Sequence, residues 1–117
     1  MYFKQEFGKE GEDYAANYLQ QNGYKILERN FFCKRGEIDI IALKNEQIIF
    51  IEIKSRKNTK YGLPSEAVTR AKLKHLYKTA EYYLVVRNLG KVDTRIDVIE
   101  IYKIYENYKI NHLEQVI

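Results

Sequence analysis

The chain has 117 residues, and its 20 Lys and Arg against 16 Asp and Glu give a formal net charge of +4. Hydrophobic residues make up 45% and charged residues 31%, which is typical of a globular domain and excludes a disordered chain. No apolar run approaches the roughly 20 residues of a membrane span, and the first ten residues lack the apolar core of a secretion signal. The single cysteine, Cys33, excludes an internal disulfide and a cysteine-rich zinc site. We therefore expect one cytoplasmic domain over residues 1–117, without a membrane partner.

The first element predicted along the chain is an amphipathic helix over residues 2–22, because its apolar residues recur at helical spacing. Gly23 follows as a C-terminal stop. Gly8 and Gly11 lie inside this helix, where each costs about 1 kcal/mol relative to alanine. A close approach of another element would explain why glycine stands there.

Three strands are predicted next, and they cover residues 24–32, 36–43 and 47–54. A short turn at residues 44–46 joins the last two strands into a hairpin. Both strands of this hairpin are apolar on both faces, which is typical of central strands covered on two sides.

The second half of the chain contains one predicted helix and one or two predicted strands. Pro64 or Ser65 is expected to begin the helix, as a first-turn proline or as a serine cap. A strand is predicted over residues 93–104, and the last residues are expected to add a short edge strand. This order of elements predicts an α/β sandwich with a mixed β-sheet.

Two carboxylates and a lysine converge on the predicted hairpin. If the hairpin turns at Asn45 and Glu46, residues whose numbers sum to about 91 face each other, and Asp39 lies opposite Glu52. Lys54 lies on the same strand face as Glu52. Charges in central strands are costly to bury unless they are paired or bind a metal. Because Mg²⁺ binds one or two carboxylates together with waters and phosphate oxygens, the two carboxylates are candidate ligands for Mg²⁺ or Mn²⁺.

Two further residues could complete a hydrolytic site. Lys54 could orient or deprotonate a water and stabilise charge that develops on a phosphate. Glu12, on the first helix, reaches the same site if that helix packs over the ends of the strands. The alternative interpretation is a solvated strand face, on which Lys54 forms a salt bridge with Glu52.

The residues around these charges resemble a known family. Asp39 followed by Glu52-Ile53-Lys54 matches the PD-(D/E)xK pattern of the restriction-endonuclease-like nucleases, with Ile38 in place of the proline. The fuller runs RGEIDII, over 35–41, and FIEIKSR, over 50–56, resemble the bacterial YraN family, which is similar to archaeal Holliday-junction resolvases. The resemblance extends to the first helix at Gly8, Gly11-Glu12 and Ala15, to the start of the second helix at Tyr61-Gly62, Glu66-Ala67-Val68 and Lys72, and to the late strand at Arg95-Ile96-Asp97-Val98.

The resemblance implies a fold, an activity and a role for each matching residue. The fold would be a restriction-endonuclease-like three-layer sandwich, with a central mixed β-sheet flanked by helices. Asp39 and Glu52 would be the ligands of Mg²⁺ or Mn²⁺, Lys54 the catalytic lysine and Glu12 the carboxylate of the first helix. The implied activity is metal-dependent hydrolysis of DNA phosphodiester bonds, on branched or recombination-intermediate DNA. Because resolution of a junction needs two symmetric cuts, a homodimer is expected.

Cationic residues flank this candidate site on both sides. The set comprises Lys34 and Arg35 before the first site strand, and Arg56, Lys57 and Lys60 after the second. Lys72 interrupts the apolar stripe of the second predicted helix, so it either reaches the site or extends past the edge of the core. For any single one of the flanking residues, a solvated surface is the favoured interpretation. As a cluster beside a metal site, they are predicted to contact phosphates.

Two alternatives to an enzyme stay open. One is a non-catalytic DNA-binding or adaptor module that retains the nuclease fold. The other is a protein-interaction domain that uses a surface rich in the chain's 11 tyrosines. Dependence on metal separates the first alternative from a nuclease, and salt-dependent DNA binding excludes the second. His75 and His112 are interpreted as a packing residue and a tail residue.

Overall fold

The computed structural model describes residues 2–56 and 69–116, and the side chains of residues 8–55 and 69–116. The elements in these ranges are α1 (Tyr2–Gln21), β1 (Lys25–Cys33), β2 (Gly36–Lys44), β3 (Gln47–Arg56), α2 (Arg70–Val86), β4 (Asp93–Ile104) and β5 (Asn107–Leu113). The strands form one sheet in the order β1-β2-β3-β4-β5. The β3–β4 pair is parallel, and the other pairs are antiparallel. The predicted α/β architecture with a mixed sheet is confirmed, and the expected C-terminal edge strand is β5.

Each face of the sheet is covered by one helix. On one face, Leu19 of α1 packs in a buried cluster with Ile49 and Ile51 of β3. On the other face, α2 packs in a second cluster that contains Ile48 and Phe50 of the same strand. Side chains alternate along a strand, so β3 supplies both cores, which explains why the hairpin strands are apolar on both faces. Neither helix in the described ranges is long and apolar enough to cross a membrane.

The turn between β2 and β3 fixes the register of the hairpin. Asn45 and Glu46 have φ values of 51° and 63°, so both lie in the left-handed region used by two-residue hairpin turns. Lys44 then pairs with Gln47 next to the turn. The predicted turn and register are therefore confirmed.

The two strands of the hairpin separate at their far end. Pairing between β2 and β3 ends at Ile40 and Ile51. However, β2 stays paired with β1 as far as Gly36, and β3 stays paired with β4 as far as Arg56. A gap therefore opens inside the sheet, next to the positions of the two candidate metal ligands.

Within the described residues, α2 begins at Arg70. Residues 57–68, which include the expected start at Pro64 or Ser65, lie outside the described residues. Thr69 is the N-cap: its backbone is extended, with φ −89° and ψ 165°, and its hydroxyl accepts a hydrogen bond from the Lys72 N–H at 3.2 Å. Thr69 therefore caps α2, because its side chain satisfies an N–H of the first turn.

Candidate functional site

Asp39 is held at the gap between β2 and β3 by the backbone of the opposite strand. Its Oδ2 accepts a hydrogen bond from the Ile53 N–H at 2.8 Å. The side chain thus binds an N–H that lies beyond the last paired residues of the two strands. This bond holds the Asp39 carboxylate beside Glu52, the residue of β3 that the hairpin register places opposite Asp39.

The surroundings of Asp39 disfavour its charge. Burial, the negative charge of Glu52 and a hydrogen bond with the Glu52 carboxyl raise the pKa of Asp39 to about 7. The Ile53 N–H and the charge of Lys72 act in the opposite direction and do not outweigh these causes. Two carboxylates that repel each other in a half-buried position are the arrangement that a divalent cation would stabilise.

A cleft of about 280 Å³ opens over the two carboxylates, between the sheet and α2. Asp39 and Glu52 form its floor, and Lys72 and His75 of α2 contribute to its wall. Gly36 also lines it, with φ 148°, and a Cβ atom added there would lie 3.1 Å from the Thr79 hydroxyl. Glycine at the start of β2 therefore allows the strand to approach α2 and close one end of the cleft. His75, interpreted from the sequence as a packing residue, is exposed and faces this cleft.

The donor set of the cleft fits a hard divalent cation. Within the described residues there is no group of three or more His, Cys, Asp or Glu side chains placed to hold a metal. The protein ligands available are thus the two carboxylates, which leaves positions for waters and for phosphate oxygens. Mg²⁺ is usually bound in this way, whereas a structural zinc site needs four protein ligands.

Lys54 lies two residues beyond Glu52 on β3, so by strand alternation it shares the face of the sheet that α2 covers. It lies beside the cleft and is not among the described residues that line it. Its direct neighbour on β4 is Glu100. Glu100 is only 1% exposed, and its Oε1 accepts a hydrogen bond from the Asn111 amide at 2.6 Å. Its Oε2 has no hydrogen-bond partner among the described residues. Sequence reasoning missed Glu100, because nothing local in the sequence shows that β4 lies parallel to β3 in this register.

The structure does not bring Glu12 into the cleft. Its Oε1 accepts hydrogen bonds from the Arg29 guanidinium at 2.9 and 3.1 Å and from the Asn30 amide at 3.1 Å. Asp13 accepts a further bond from Arg29 at 2.6 Å. Glu12 therefore ties α1 to β1, and it is not among the residues that line the cleft.

The predicted phosphate-binding residues are only partly described. Lys34 and Arg35 are exposed in the turn between β1 and β2, next to the end of the cleft formed by Gly36. Lys72 lies in the cleft itself, where its charge lowers the pKa of Asp39. The Arg56 side chain and residues 57–68, with Lys57 and Lys60, lie outside the described residues.

A second cluster of polar residues is buried under α1. Asp97 accepts two hydrogen bonds from Arg95 at 2.8 Å, one from His112 Nε2 at 2.7 Å and one from the Gln115 N–H at 2.9 Å. Arg95 and Asp97 lie two residues apart on one face of β4 and form a salt bridge. The interpretation of His112 as a tail residue was wrong, because its ring lies between Asp97 and the Tyr18 hydroxyl, which is 3.0 Å from Nδ1.

Comparisons with known proteins place the site within one family. Residues 11–101 match the family model described as "Uncharacterised protein family UPF0102". A UPF0102 protein of Caldanaerobacter subterraneus subsp. tengcongensis is 46% identical over 113 residues, covering 94% of this chain and 93% of that protein. A UPF0102 protein of Clostridioides difficile is 47% identical over 108 residues, covering 92% and 93%. One of Clostridium kluyveri is 50% identical over 99 residues, covering 85% and 81%.

Proposed function

Because the chain belongs to the UPF0102 (YraN) family over a segment that contains the whole candidate site, we propose its function from the chemistry of that site. The protein is a metal-dependent endonuclease that hydrolyses DNA phosphodiester bonds, built on a restriction-endonuclease-like fold. One observation carries the proposal: Asp39 and Glu52 repel each other in the gap between two separating strands, and the pKa of Asp39 is raised to about 7. Binding of a cation between the two carboxylates would relieve their repulsion and would explain why they lie together.

The residues of the cleft, together with Lys54 beside it on β3, would each have a role in phosphodiester hydrolysis. Asp39 and Glu52 would hold Mg²⁺ or Mn²⁺, with the Ile53 N–H orienting Asp39. A divalent ion bound there supplies Lewis-acid polarisation of the phosphate and acidifies the attacking water. The Lys54 ammonium, on the same face, stabilises the negative charge that develops on the scissile phosphate. Lys72, on the opposite wall of the cleft, attracts and positions the DNA backbone.

The proposed substrate is branched or recombination-intermediate DNA, which a cytoplasmic protein would meet. This part of the proposal rests on the motifs over residues 35–41 and 50–56, which are similar to those of archaeal Holliday-junction resolvases. Two symmetric cuts in a junction require two copies of the site, so the proposal includes a homodimer.

A cleavage assay with labelled DNA tests the proposal. A four-way junction, a matched duplex and a matched single strand are each incubated with Mn²⁺, Mg²⁺ or EDTA. We expect metal-dependent cleavage, fastest on the junction, that falls about 100-fold or more in Lys54→Ala because a donor to the transition-state charge is lost. Lys91→Ala is the matched control, because Lys91 is an exposed lysine outside the cleft, and it should cleave like the unchanged protein.

Two other results would contradict the endonuclease and identify its alternatives. DNA binding that is sensitive to salt but equal in EDTA and Mn²⁺, without cleavage, would indicate a non-catalytic DNA-binding or adaptor module. No salt-dependent DNA binding at all would indicate a protein-interaction domain.

A further inference from the structure

A second groove adjoins the cleft on the face of the sheet that α2 covers. It has a volume of about 660 Å³ and lies between the β1–β2 turn and the end of α2. Arg35 lines this groove and the next residue, Gly36, lines the cleft. The groove and the cleft are also close to each other along α2, because Tyr82, which lines the groove, lies about one helical turn after Thr79, which lines the cleft. A ligand chain could therefore pass from one into the other.

The groove presents aromatic side chains to solvent. Phe32 is 75% exposed and Tyr82 is 42% exposed, and Val86 beside them is also exposed. The Phe31 ring forms the base, with its centroid 6.4 Å from that of Tyr82. Single exposed apolar residues are common, but three together in one concave surface are typical of a binding site. Phe32 belongs to neither hydrophobic core, so packing of the described chain does not account for it.

The charges of the groove are all positive. Lys34, Arg35 and Arg87 line it, and none of the acidic residues that the structure describes does. The Arg87 guanidinium is already engaged in contacts within the chain. Glu28 accepts two hydrogen bonds from it at 2.8 Å, and it lies over the Phe31 ring, 5.5 Å from the ring centroid. Lys34 and Arg35 are exposed and have no described acidic residue within salt-bridge distance. These two residues are the ones that can bind anions.

We propose that this groove binds unpaired nucleotides of the DNA substrate next to the site of cleavage. Bases stack on Phe32 and Tyr82, while Lys34 and Arg35 bind the adjacent backbone phosphates. The inference rests on the proposed endonuclease function and deepens it, because it names DNA with unpaired nucleotides as the substrate class.

Physical chemistry favours unpaired nucleotides over duplex DNA in this groove. Aromatic side chains stack on any unpaired base, whereas the faces of paired bases are covered by their neighbours in the duplex. The volume lies within the roughly 300–1,000 Å³ of typical ligand sites. The alternating aromatic and cationic lining matches the two features of a nucleic-acid strand, apolar base faces and negative phosphates. A hydrophobic peptide would use the rings but would leave Lys34 and Arg35 without a partner.

Binding measured in EDTA tests the inference without depending on catalysis. Fluorescence anisotropy is recorded with a labelled oligothymidine about 12 nucleotides long and with the corresponding oligothymidine–oligoadenine duplex. We expect the single strand to bind more tightly, and Phe32→Ala to weaken that binding by about 5- to 150-fold. Phe32→Tyr, which keeps a ring, should restore it, and Lys34→Ala should lower the slope of affinity against salt by about one.

Tyr105→Ala is the matched control, because Tyr105 is 91% exposed in the turn between β4 and β5 and lines neither the groove nor the cleft. It should leave the affinity unchanged. Unchanged single-strand affinity in Phe32→Ala, or tighter binding of the duplex, would overturn the inference. So would a change from dimer to monomer in Phe32→Ala without loss of DNA affinity, since the groove would then bind a second copy.

The two proposals fail in distinguishable ways. If Phe32→Ala changes neither the metal-dependent cleavage of any DNA nor the binding of the single strand, the nucleotide-binding groove is refuted and the endonuclease function is retained. Single-strand binding that depends on Phe32, without cleavage in any metal, removes the endonuclease and keeps the nucleotide-binding groove.

Discussion

Three carboxylates on the sheet, those of Asp39, Asp97 and Glu100, have different surroundings. The difference distinguishes a residue that stabilises the fold from residues at or beside the candidate site. Burial alone would raise the pKa of Asp97, but hydrogen bonds from His112, Arg95 and the Gln115 N–H outweigh it and lower the pKa below its ordinary value. Asp39 faces another carboxylate, and its pKa is raised to about 7. Glu100 lies beside Lys54 with one oxygen unpartnered. The hydrogen-bonded Asp97 holds the C-terminal strand, whereas Asp39 and Glu100 lie at or beside the candidate site. The shifted pKa of Asp39 is typical of a functional site.

The raised pKa of Asp39 predicts a pH dependence of stability. The folded chain binds an extra proton between the ordinary value of 3.8 and about 7, so stability is fully present below this window and falls as the pH rises through it. Asp39→Asn keeps an acceptor for the Ile53 N–H and removes the charge. We expect its free energy of unfolding to exceed that of the unchanged protein by about 3 kcal/mol near pH 8, and to converge with it near pH 4. Urea denaturation across this range measures the difference, and parallel curves at every pH would contradict the prediction.

At the scale of elements, the two glycines of α1 differ in how closely the helix approaches the sheet around them. A Cβ added to Gly11 would lie 2.5 Å from the Ser55 hydroxyl and 3.7 Å from Ile101 Cδ1. One added to Gly8 would meet no atom of the described part of the chain within 4 Å. Gly11 thus allows α1 to lie directly on the end of β3, next to Lys54. The close approach expected from the sequence is found at Gly11 and not at Gly8.

This contrast predicts opposite effects of the same substitution. Gly8→Ala should stabilise the protein by about 0.5–1 kcal/mol, because alanine is the better helix former and the site has space. Gly11→Ala should gain less or lose stability, because the Ser55 hydroxyl must move. In a Ser55→Ala background the clash is absent, and Gly11→Ala should then match Gly8→Ala. Thermal unfolding of the four variants measures this, and equal effects of both alanines with Ser55 present would show that the helix does not contact the strand end so closely.

The elements that sequence reasoning predicted are those determined by neighbouring residues. The hairpin register followed from the Asn45-Glu46 turn and from strand alternation, and both are local. The partners of Glu12, His112 and Glu100 could not be predicted in this way, because they lie on elements distant in sequence. Arg29 binds a residue 17 positions before it, and Tyr18 meets His112 94 positions later. Such contacts depend on how the sheet and the helices assemble, which no local pattern encodes.

For the whole molecule, an acidic cleft lies in a chain of net charge +4. The surrounding positive charge favours approach of a polyanion, while the paired carboxylates repel its phosphates unless their charge is neutralised. Cation binding and DNA binding at this site should therefore support each other. In the proposed function, the two would be coupled through Asp39, which must release its proton to become a ligand.

This coupling predicts that Mn²⁺ stabilises the folded protein more strongly as the pH rises. A ligand at 100 times its dissociation constant adds about 2.7 kcal/mol to the free energy of unfolding, provided that Asp39 is ionised. We expect a larger Mn²⁺-induced rise in Tm near pH 8 than near pH 5.5, because the ion competes with a proton of pKa about 7. Differential scanning calorimetry with and without Mn²⁺ measures it. An equal rise in Glu52→Gln would show that the ion binds elsewhere.

The parallel pairing of β3 with β4 sets the order in which the chain can assemble. Gln47 pairs with Asp93, so this contact must close a loop of 46 residues, whereas β1, β2 and β3 follow one another through short turns. Closing the longer loop costs more chain entropy, so the three-stranded meander is the faster unit to form. During synthesis, the strands of Asp39 and Glu52 can therefore pair before α2 and β4 have left the ribosome. The strands that carry the two carboxylates are therefore expected to form first, and α2, which forms the wall of the cleft, is expected to pack on them afterwards.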